Sequence, residues 1–236
     1  MIRRIKDFAL DMLFPPLCLA CGSRLLGHEK SQVACGACVA SVPRYDGVFC
    51  PACLRRIPHG AAPCHPRTRY VLAPAAHYGH ETVKKLLWQF KYENWLSAGT
   101  PVAHLLTSYL KNLPHDFSGY EAVPIPLHKN REWNRGFNQA SVLASAVAGE
   151  FSIPVASGNL VRAKETAAQA DQTDYAAREK NIAGAFHVLR PEEFKNKKII
   201  LVDDVTTSGA TLAEAAKTLA SCGAKSIVAA VVARAR

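Results

Sequence analysis

The stretch KKIILVDDVTTSGATL, Lys197 to Leu212, constrains this chain more than any other. Ile199 to Val202 are apolar without alternation, as in a strand buried on both faces of a parallel sheet. The run then meets Asp203 and Asp204, two carboxylates that are costly to bury without partners. Val205 to Gly209 reads as a loop of small and hydroxyl residues. An alanine-rich segment follows and predicts a helix from Ala210 to Ser221, with Gly223 placed to stop it. The start of such a helix offers unpaired backbone N–H groups and the positive end of the helix dipole, which together attract an anion. Thr206, Thr207, Ser208 and Thr211 add hydroxyl donors, and Gly209 lets the backbone approach a phosphate closely. The carboxylates repel that phosphate, so they must face another part of the ligand. Sugar hydroxyls suit them, because a carboxylate accepts their hydrogen bonds. A phosphate and a diol one sugar apart describe a ribose 5-phosphate.

Two rival nucleotide readings fail on the residues. An apolar strand ending in two aspartates resembles a Walker B strand, but no G-x-x-x-x-G-K-[ST] occurs, and no G-x-G-x-x-G. An acidic loop followed by a hydroxyl helix cap explains one aspartate and one threonine, not the whole run.

The rest of the chain after residue 70 alternates strand-like and helix-like segments. Helices are expected over about 81–90, 101–111 and 139–150. Strands are expected at YEAVPIPLH (120–128) and at about 155–161, 185–189, 198–203 and 226–233. This alternation argues an α/β fold, a mainly parallel sheet flanked by helices, whose ligands bind beyond the carboxyl ends of the strands. Trp88, Trp95 and Trp133 read first as core residues, with base stacking as the alternative.

Seven of the eight cysteines lie between Cys18 and Cys64. Cys18-x2-Cys21 and Cys35-x2-Cys38 can turn four thiolates onto one ion, a closed tetrahedral zinc site with no position left for substrate. Such a metal replaces missing core instead of catalysing. Disulfides or free thiols are the alternative. Cys50, Cys53 and Cys64 form a less complete second group. A further x2 spacing falls on Arg67, so either three cysteines and a histidine, His65 or His59, form a second site, or this half is a metal-free relic.

The formal charge is +10, densest at the start: residues 1–70 carry 10 Lys and Arg against 4 Asp and Glu, residues 71–236 carry 19 against 15. Arg24, Lys30, Arg44, Arg55, Arg56, Arg67 and Arg69 fall between and beside the cysteines. This suggests a polyanionic partner, nucleic acid or anionic lipid, or else ordinary solubility charge; each four-thiolate zinc site would offset about two of the positive charges. No run of about 18 apolar residues occurs, so no integral membrane segment is expected. MIRRIKDFALDMLFPPLC is broken by Asp7 and Asp11 and lacks a cleavage site, so it reads as an amphipathic helix over about 2–13 rather than a signal peptide. The expected location is cytoplasmic.

The stretch around Asp203 resembles the phosphoribosyl-pyrophosphate (PRPP) loop of type I phosphoribosyltransferases. Together with the cysteine-rich start, YGHETVKKLLWQFKY, VPIPLHKNREWNRGFNQAS and RAKETAAQ…REKNIAGAFHV, the chain resembles the ComF family, competence protein F and GntX-like proteins, from Cys18 to about Val232. Many members have a fourth cysteine where this chain has Arg67. The resemblance implies an N-terminal helix and zinc-ribbon region over 1–70 and a phosphoribosyltransferase-like domain over 71–236. It implies PRPP or ribose 5-phosphate as ligand, with Mg2+ in the PRPP case. Asp203 and Asp204 would hold the ribose hydroxyls and help orient the metal, and Thr206, Thr207, Ser208, Gly209, Ala210 and Thr211 would cradle the 5′-phosphate. Lys129 and Arg131, in a loop turning at Pro126–Lys129, and Arg135, near a flap, would meet the pyrophosphate. Arg162, Thr166, Gln169, Arg178 and Asn181 match the family pattern without a role that their chemistry defines. It further implies natural transformation, with handling of incoming single-stranded DNA and other DNA-uptake proteins as possible partners. An active phosphoribosyltransferase with an acceptor unrelated to DNA is the alternative.

Overall fold

A computed structural model of the chain describes residues 12–92, 98–164 and 182–235, with only the backbone described at 131, 134 and 135. The expected N-terminal helix therefore lies outside the described residues except at its end, as do Trp95, Thr166, Gln169, Arg178 and Asn181.

The cysteine-rich region contains a short helix α1 (Gly36–Ala40) and two two-residue strands, β1 (Val48–Phe49) and β2 (Arg56–Ile57). The chain then alternates: β3 (Val71–His77), α2 (Glu81–Tyr92), α3 (Gly99–Lys111), β4 (Tyr120–Pro124), α4 (Lys129–Arg135) and α5 (Gln139–Phe151). A small antiparallel pair follows, β5 (Leu160–Arg162) with β6 (Phe186–Val188), and then β7 (Lys198–Thr206), α6 (Ala210–Ser221) and β8 (Ser226–Arg234). The main sheet has the order β2-β1-β3-β8-β7-β4. Its four long members are parallel, and β1 and β2 extend it in antiparallel sense. The sheet thus takes in residues from well before residue 71.

Alternation along the central strands fills both faces. Ile200 and Val202 of β7 and Val228, Ala230 and Val232 of β8 pack with α2, α3 and α5. Ile199 and Leu201, with Ile227, Ala229 and Val231, pack with Leu212, Ala215, Ala216 and Leu219 of α6. A strand buried on both faces needs this continuous apolar run. The cysteine-rich region shares the first core through Leu25, Val33, Val39 and Val42. Tyr109 of α3 donates to the Gly47 carbonyl at 2.6 Å, and the Arg234 guanidinium lies 4.6 Å and 4.9 Å from the ring centres of Tyr45 and Phe49.

Several expectations need correction. β7 continues to Thr206, so both aspartates lie within the paired strand, with Val205 opposite Ala233. β4 stops at Pro124; after the Ile125 amide donates to Val202, Pro126 has no N–H to extend the ladder. Lys129 to Arg135 is a helix, not an open loop: the His128 ring accepts from the Asn130 amide at its start, and Gly136 ends it in left-handed conformation. Of 155–161 only Leu160 and Val161 enter a ladder, while Val155 makes a lone bridge to Ala122 between Pro154 and Gly158. Trp88 and Trp133 are not core residues, being 54% and 88% exposed. The buried face of α2 is built from Val83, Leu86, Leu87 and Phe90, and position 88 falls off it.

Candidate functional site

The carboxyl end of β7 opens into a cavity of about 390 Å3. Asp203, Asp204, Thr207 and Thr211 line it from β7 and the start of α6, Lys91 from the end of α2, and Arg162 from β5. Asn138 and Gln139, at the start of α5, complete the polar part. Asn138 is held rigidly: its carbonyl oxygen caps α5 by accepting from the Ala140 amide at 3.0 Å, and its amide donates to the Ile125 carbonyl at 3.0 Å. Trp88, Tyr92, Leu87, Ile125 and Leu127 form the apolar part.

The two carboxylates have different surroundings. Asp204 is ion-paired to Lys91, Nζ to Oδ2 2.9 Å, and its other oxygen accepts from the Val205 amide at 2.6 Å. Asp203 accepts from the Asp204 amide at 2.8 Å. Burial pushes the Asp203 carboxyl up to about 7, the negative charge of Asp204 adds to this, and the Asp204 amide, Lys91 and Arg162 pull it back. A neighbouring pair with one member poised near neutrality can accept hydroxyl donors or share a cation.

The residues of the expected phosphate loop do not all face this cavity. Asp203, Asp204, Thr207 and Thr211 come together there. Thr206 is buried as the last residue of β7. Ser208, Gly209 and Ala210 line a neighbouring cavity of about 510 Å3, opposite Arg67, Arg69 and Tyr70 and beside Lys217. Gly209 has φ +79° at the start of α6, and a Cβ there would meet the Tyr70 hydroxyl at 3.4 Å. Its glycine is thus required by backbone conformation. Lys129 is exposed and lines a separate hollow with Glu132, Trp133 and Gly136, away from the aspartates. The side chains of Arg131 and Arg135 lie outside the described residues.

Sequence reasoning passed over Lys91, Tyr92 and the cavity role of Trp88. Their signal is the WQFKY ending of α2, where Lys91 adjoins the apolar face between two off-face aromatics, Trp88 and Tyr92.

The cysteines gather into two quartets. Cys18, Cys21, Cys35 and Cys38 present ligand atoms all within 4.8 Å of one another, as do Cys50, Cys53, Cys64 and His65. Zinc–sulfur bonds of about 2.3 Å in a tetrahedron place sulfurs roughly 3.8 Å apart. Cys21 Sγ and Cys35 Sγ are 3.9 Å apart, and His65 Nδ1 lies 3.5 Å from Cys50 Sγ and 3.3 Å from Cys64 Sγ. Both quartets therefore fit a closed zinc shell, and His65 rather than His59 completes the second. Among the basic residues nearby, Arg56 is paired to Asp46 at 2.8 Å and Arg44 donates to Ser108, while Arg55, Arg67 and Arg69 are exposed.

Among the described residues no helix is long and apolar enough to cross a membrane. Comparison with known proteins agrees with this architecture. The phosphoribosyl transferase domain family matches residues 138–236, and the double zinc ribbon domain family matches residues 9–66. The first third is thus a zinc-ribbon region with zinc as a structural cofactor. The chain is similar to competence protein F of Haemophilus influenzae, 30% identical over 89% of this chain and 87% of that protein. It is similar to DNA utilization protein YhgH of Escherichia coli K12, 28% identical over 90% and 94%. It is also similar to competence protein ComFC of Streptococcus pneumoniae, 26% identical over 89% and 96%. With a zinc ribbon joined to a phosphoribosyltransferase-type sheet, and likeness to competence protein F along nearly its whole length, the chain belongs to the ComF family.

Proposed function

We propose that this protein binds ribose 5-phosphate or PRPP at the carboxyl end of β7 and acts in DNA uptake, handling incoming single-stranded DNA in the cytoplasm. One observation carries the ligand reading: adjacent carboxylates and the hydroxyls at the start of α6 open onto one cavity of small-molecule size. Asp203 and Asp204 accept the ribose hydroxyls and, with PRPP, help orient Mg2+. Thr207 and Thr211 meet the 5′-phosphate with the first-turn amides of α6. Thr206, Ser208, Gly209 and Ala210 keep the loop in the shape that aims those amides. The DNA part rests on relatives named for competence and DNA utilization and on the basic excess of residues 1–70.

A second reading, pyrophosphate-releasing transfer to an acceptor, is favoured by Lys91 and Arg162 beside the carboxylates. Pyrophosphate would leave the anomeric carbon with the bonding pair, its charge met by Mg2+ and basic side chains, as the acceptor's lone pair forms the new bond. Hydrogen exchange tests the ligand reading. PRPP with Mg2+ should slow exchange of the amides over 203–212, and unchanged exchange there would overturn it.

A further inference from the structure

The second quartet backs onto the turn between β7 and α6. Cys50 follows directly on β1, whose Phe49 pairs with Leu72 of β3, and Cys64 and His65 lead into β3 from the other side. The chain beyond His65 is tied down: the Thr68 amide and hydroxyl both donate to the His65 carbonyl, at 3.0 Å and 2.7 Å. Tyr70 then packs with Ala210 and Leu212 of α6, and its hydroxyl lies over Gly209, 3.4 Å from where a Cβ would stand. The cavity that receives Ser208, Gly209 and Ala210 is walled by residues that this quartet anchors. Pro51 and Ala52 lie between ligands Cys50 and Cys53, and Arg67 to Tyr70 follow ligands Cys64 and His65. The two quartets also differ in protection. Cys53, Cys64 and His65 are exposed, whereas the first quartet exposes only Cys21, so a chelator reaches the second ion first. Metal-binding energy in such a region is folding energy, and losing that ion loosens the wall. A ligand that needs an ordered loop then carries the ordering cost itself.

We infer that Tyr70 is a positioning residue for the turn between β7 and α6, and that the second zinc centre is an effector site acting through it. With zinc held, Tyr70 sits over Gly209 and the first-turn amides of α6 keep their aim. With zinc lost, the wall of residues 51–52 and 67–70 loosens and the turn loses its backing. The effect on affinity rests on the sugar-phosphate reading above; the ordering of the turn does not. Linkage makes the effect reciprocal: zinc tightens sugar-phosphate binding, and bound sugar phosphate tightens zinc by the same factor.

The test compares the full zinc-loaded chain with His65→Ala, His65→Cys, Tyr70→Ala and Tyr70→Phe. Zinc is counted by metal analysis, order of the turn is read by hydrogen exchange over 206–212 without ligand, and ribose 5-phosphate is titrated by calorimetry. His65→Ala should lose the second zinc, exchange faster over 206–212 and bind ribose 5-phosphate about tenfold more weakly. His65→Cys keeps four ligands and should restore zinc, exchange and affinity. Tyr70→Ala should keep its zinc yet show the same fast exchange and weak binding, which keeps the test decisive even if His65→Ala fails to fold. Tyr70→Phe keeps the ring and should restore most of both. In wild type, saturating ribose 5-phosphate should raise the EDTA concentration that strips the second zinc by about the same tenfold factor, and Tyr70→Ala should lose that shift. A general loss of stability would not produce such a reciprocal shift. Unchanged exchange over 206–212 in both His65→Ala and Tyr70→Ala overturns the coupling. Ribose 5-phosphate that binds alike in all variants, and leaves zinc stripping unshifted, overturns the effector role and spares the sugar-phosphate reading. Faster exchange in both alanine variants, with no ribose 5-phosphate binding to wild type, supports Tyr70 as the positioning residue and overturns the sugar-phosphate reading.

Discussion

The Lys91 ammonium lies 2.9 Å from Asp204 Oδ2, joining the end of α2 to the end of β7 across the cavity. The pair is largely buried, with side-chain exposures of 24% and 12%. Lys91 also draws the Asp203 carboxyl downward from its raised position. Lys91→Met keeps the aliphatic stem and removes the cation. Asp203 should then titrate higher, and the pH midpoint of Mg2+-dependent PRPP binding should move up relative to wild type, as calorimetry between pH 6 and pH 9 would show. The lost pair should lower stability by about 1–2 kcal/mol, discounted for its partial exposure. An unchanged midpoint would mean that Lys91 does not act on the carboxylates.

Asp203 also gives the free protein a pH dependence of stability. Its carboxyl is raised from 3.8 to about 7 in the folded chain. Between these values the folded state holds a proton that the unfolded state has released. Stability attributable to this group therefore falls as pH rises through that window and levels off above it. Asp203→Asn removes this contribution. Urea unfolding should find the variant gaining on wild type from pH 5 to pH 8, and parallel curves would show that Asp203 ionises normally.

Metal analysis should find two zinc ions per chain. His65→Ala should lose one, since its Nδ1 stands 3.5 Å from Cys50 Sγ and 3.3 Å from Cys64 Sγ. Cys35→Ser should unfold the region around the first quartet and expose Val33, Val39 and Val42, because metal-binding energy there is folding energy. A zinc-free chain with this region native would contradict the assignment.

Single-stranded DNA should bind weakly and with little sequence preference. Phosphate contacts release counterions, so affinity should fall by a factor of ten or more between about 50 mM and 200 mM salt. Replacing exposed Arg55, Arg67 and Arg69 with glutamine should weaken binding and flatten the salt slope. Binding that ignores salt would rule out an electrostatic interface.

The sequence made the central strands legible because both faces of β7 and β8 are buried, and their apolar runs have no other stable home. The cysteine spacing similarly foretold the first quartet, but for the second it supplied three cysteines and left the fourth ligand open between His65 and His59. What escaped notice depends on three-dimensional placement. The end of β7 is set by pairing with β8 as far as Thr206–Arg234, which no local signal encodes. The helix at Lys129–Arg135 depends on a histidine cap and a left-handed glycine in a segment of mixed propensity. The division of the loop between two cavities, Thr207 and Thr211 on one side and Ser208, Gly209 and Ala210 on the other, depends on the backbone path between β7 and α6, which residue types alone do not encode. Lys91 meets Asp204 across 113 residues of sequence, beyond the reach of any motif spacing.

The most direct measurement is calorimetric titration of ribose 5-phosphate and of PRPP with Mg2+ into wild type, Asp204→Asn and Gly209→Val. Wild type should bind both. Asp204→Asn keeps the shape and loses a charge, so it should weaken the sugar and metal-dependent part while phosphate binding survives. Gly209→Val puts a β-branched residue at positive φ, which should distort the turn, misaim the amides of α6 and abolish binding of both ligands. Wild type that binds neither ligand, or Gly209→Val that binds ribose 5-phosphate as well as wild type does, would contradict a phosphate cradle at the end of β7.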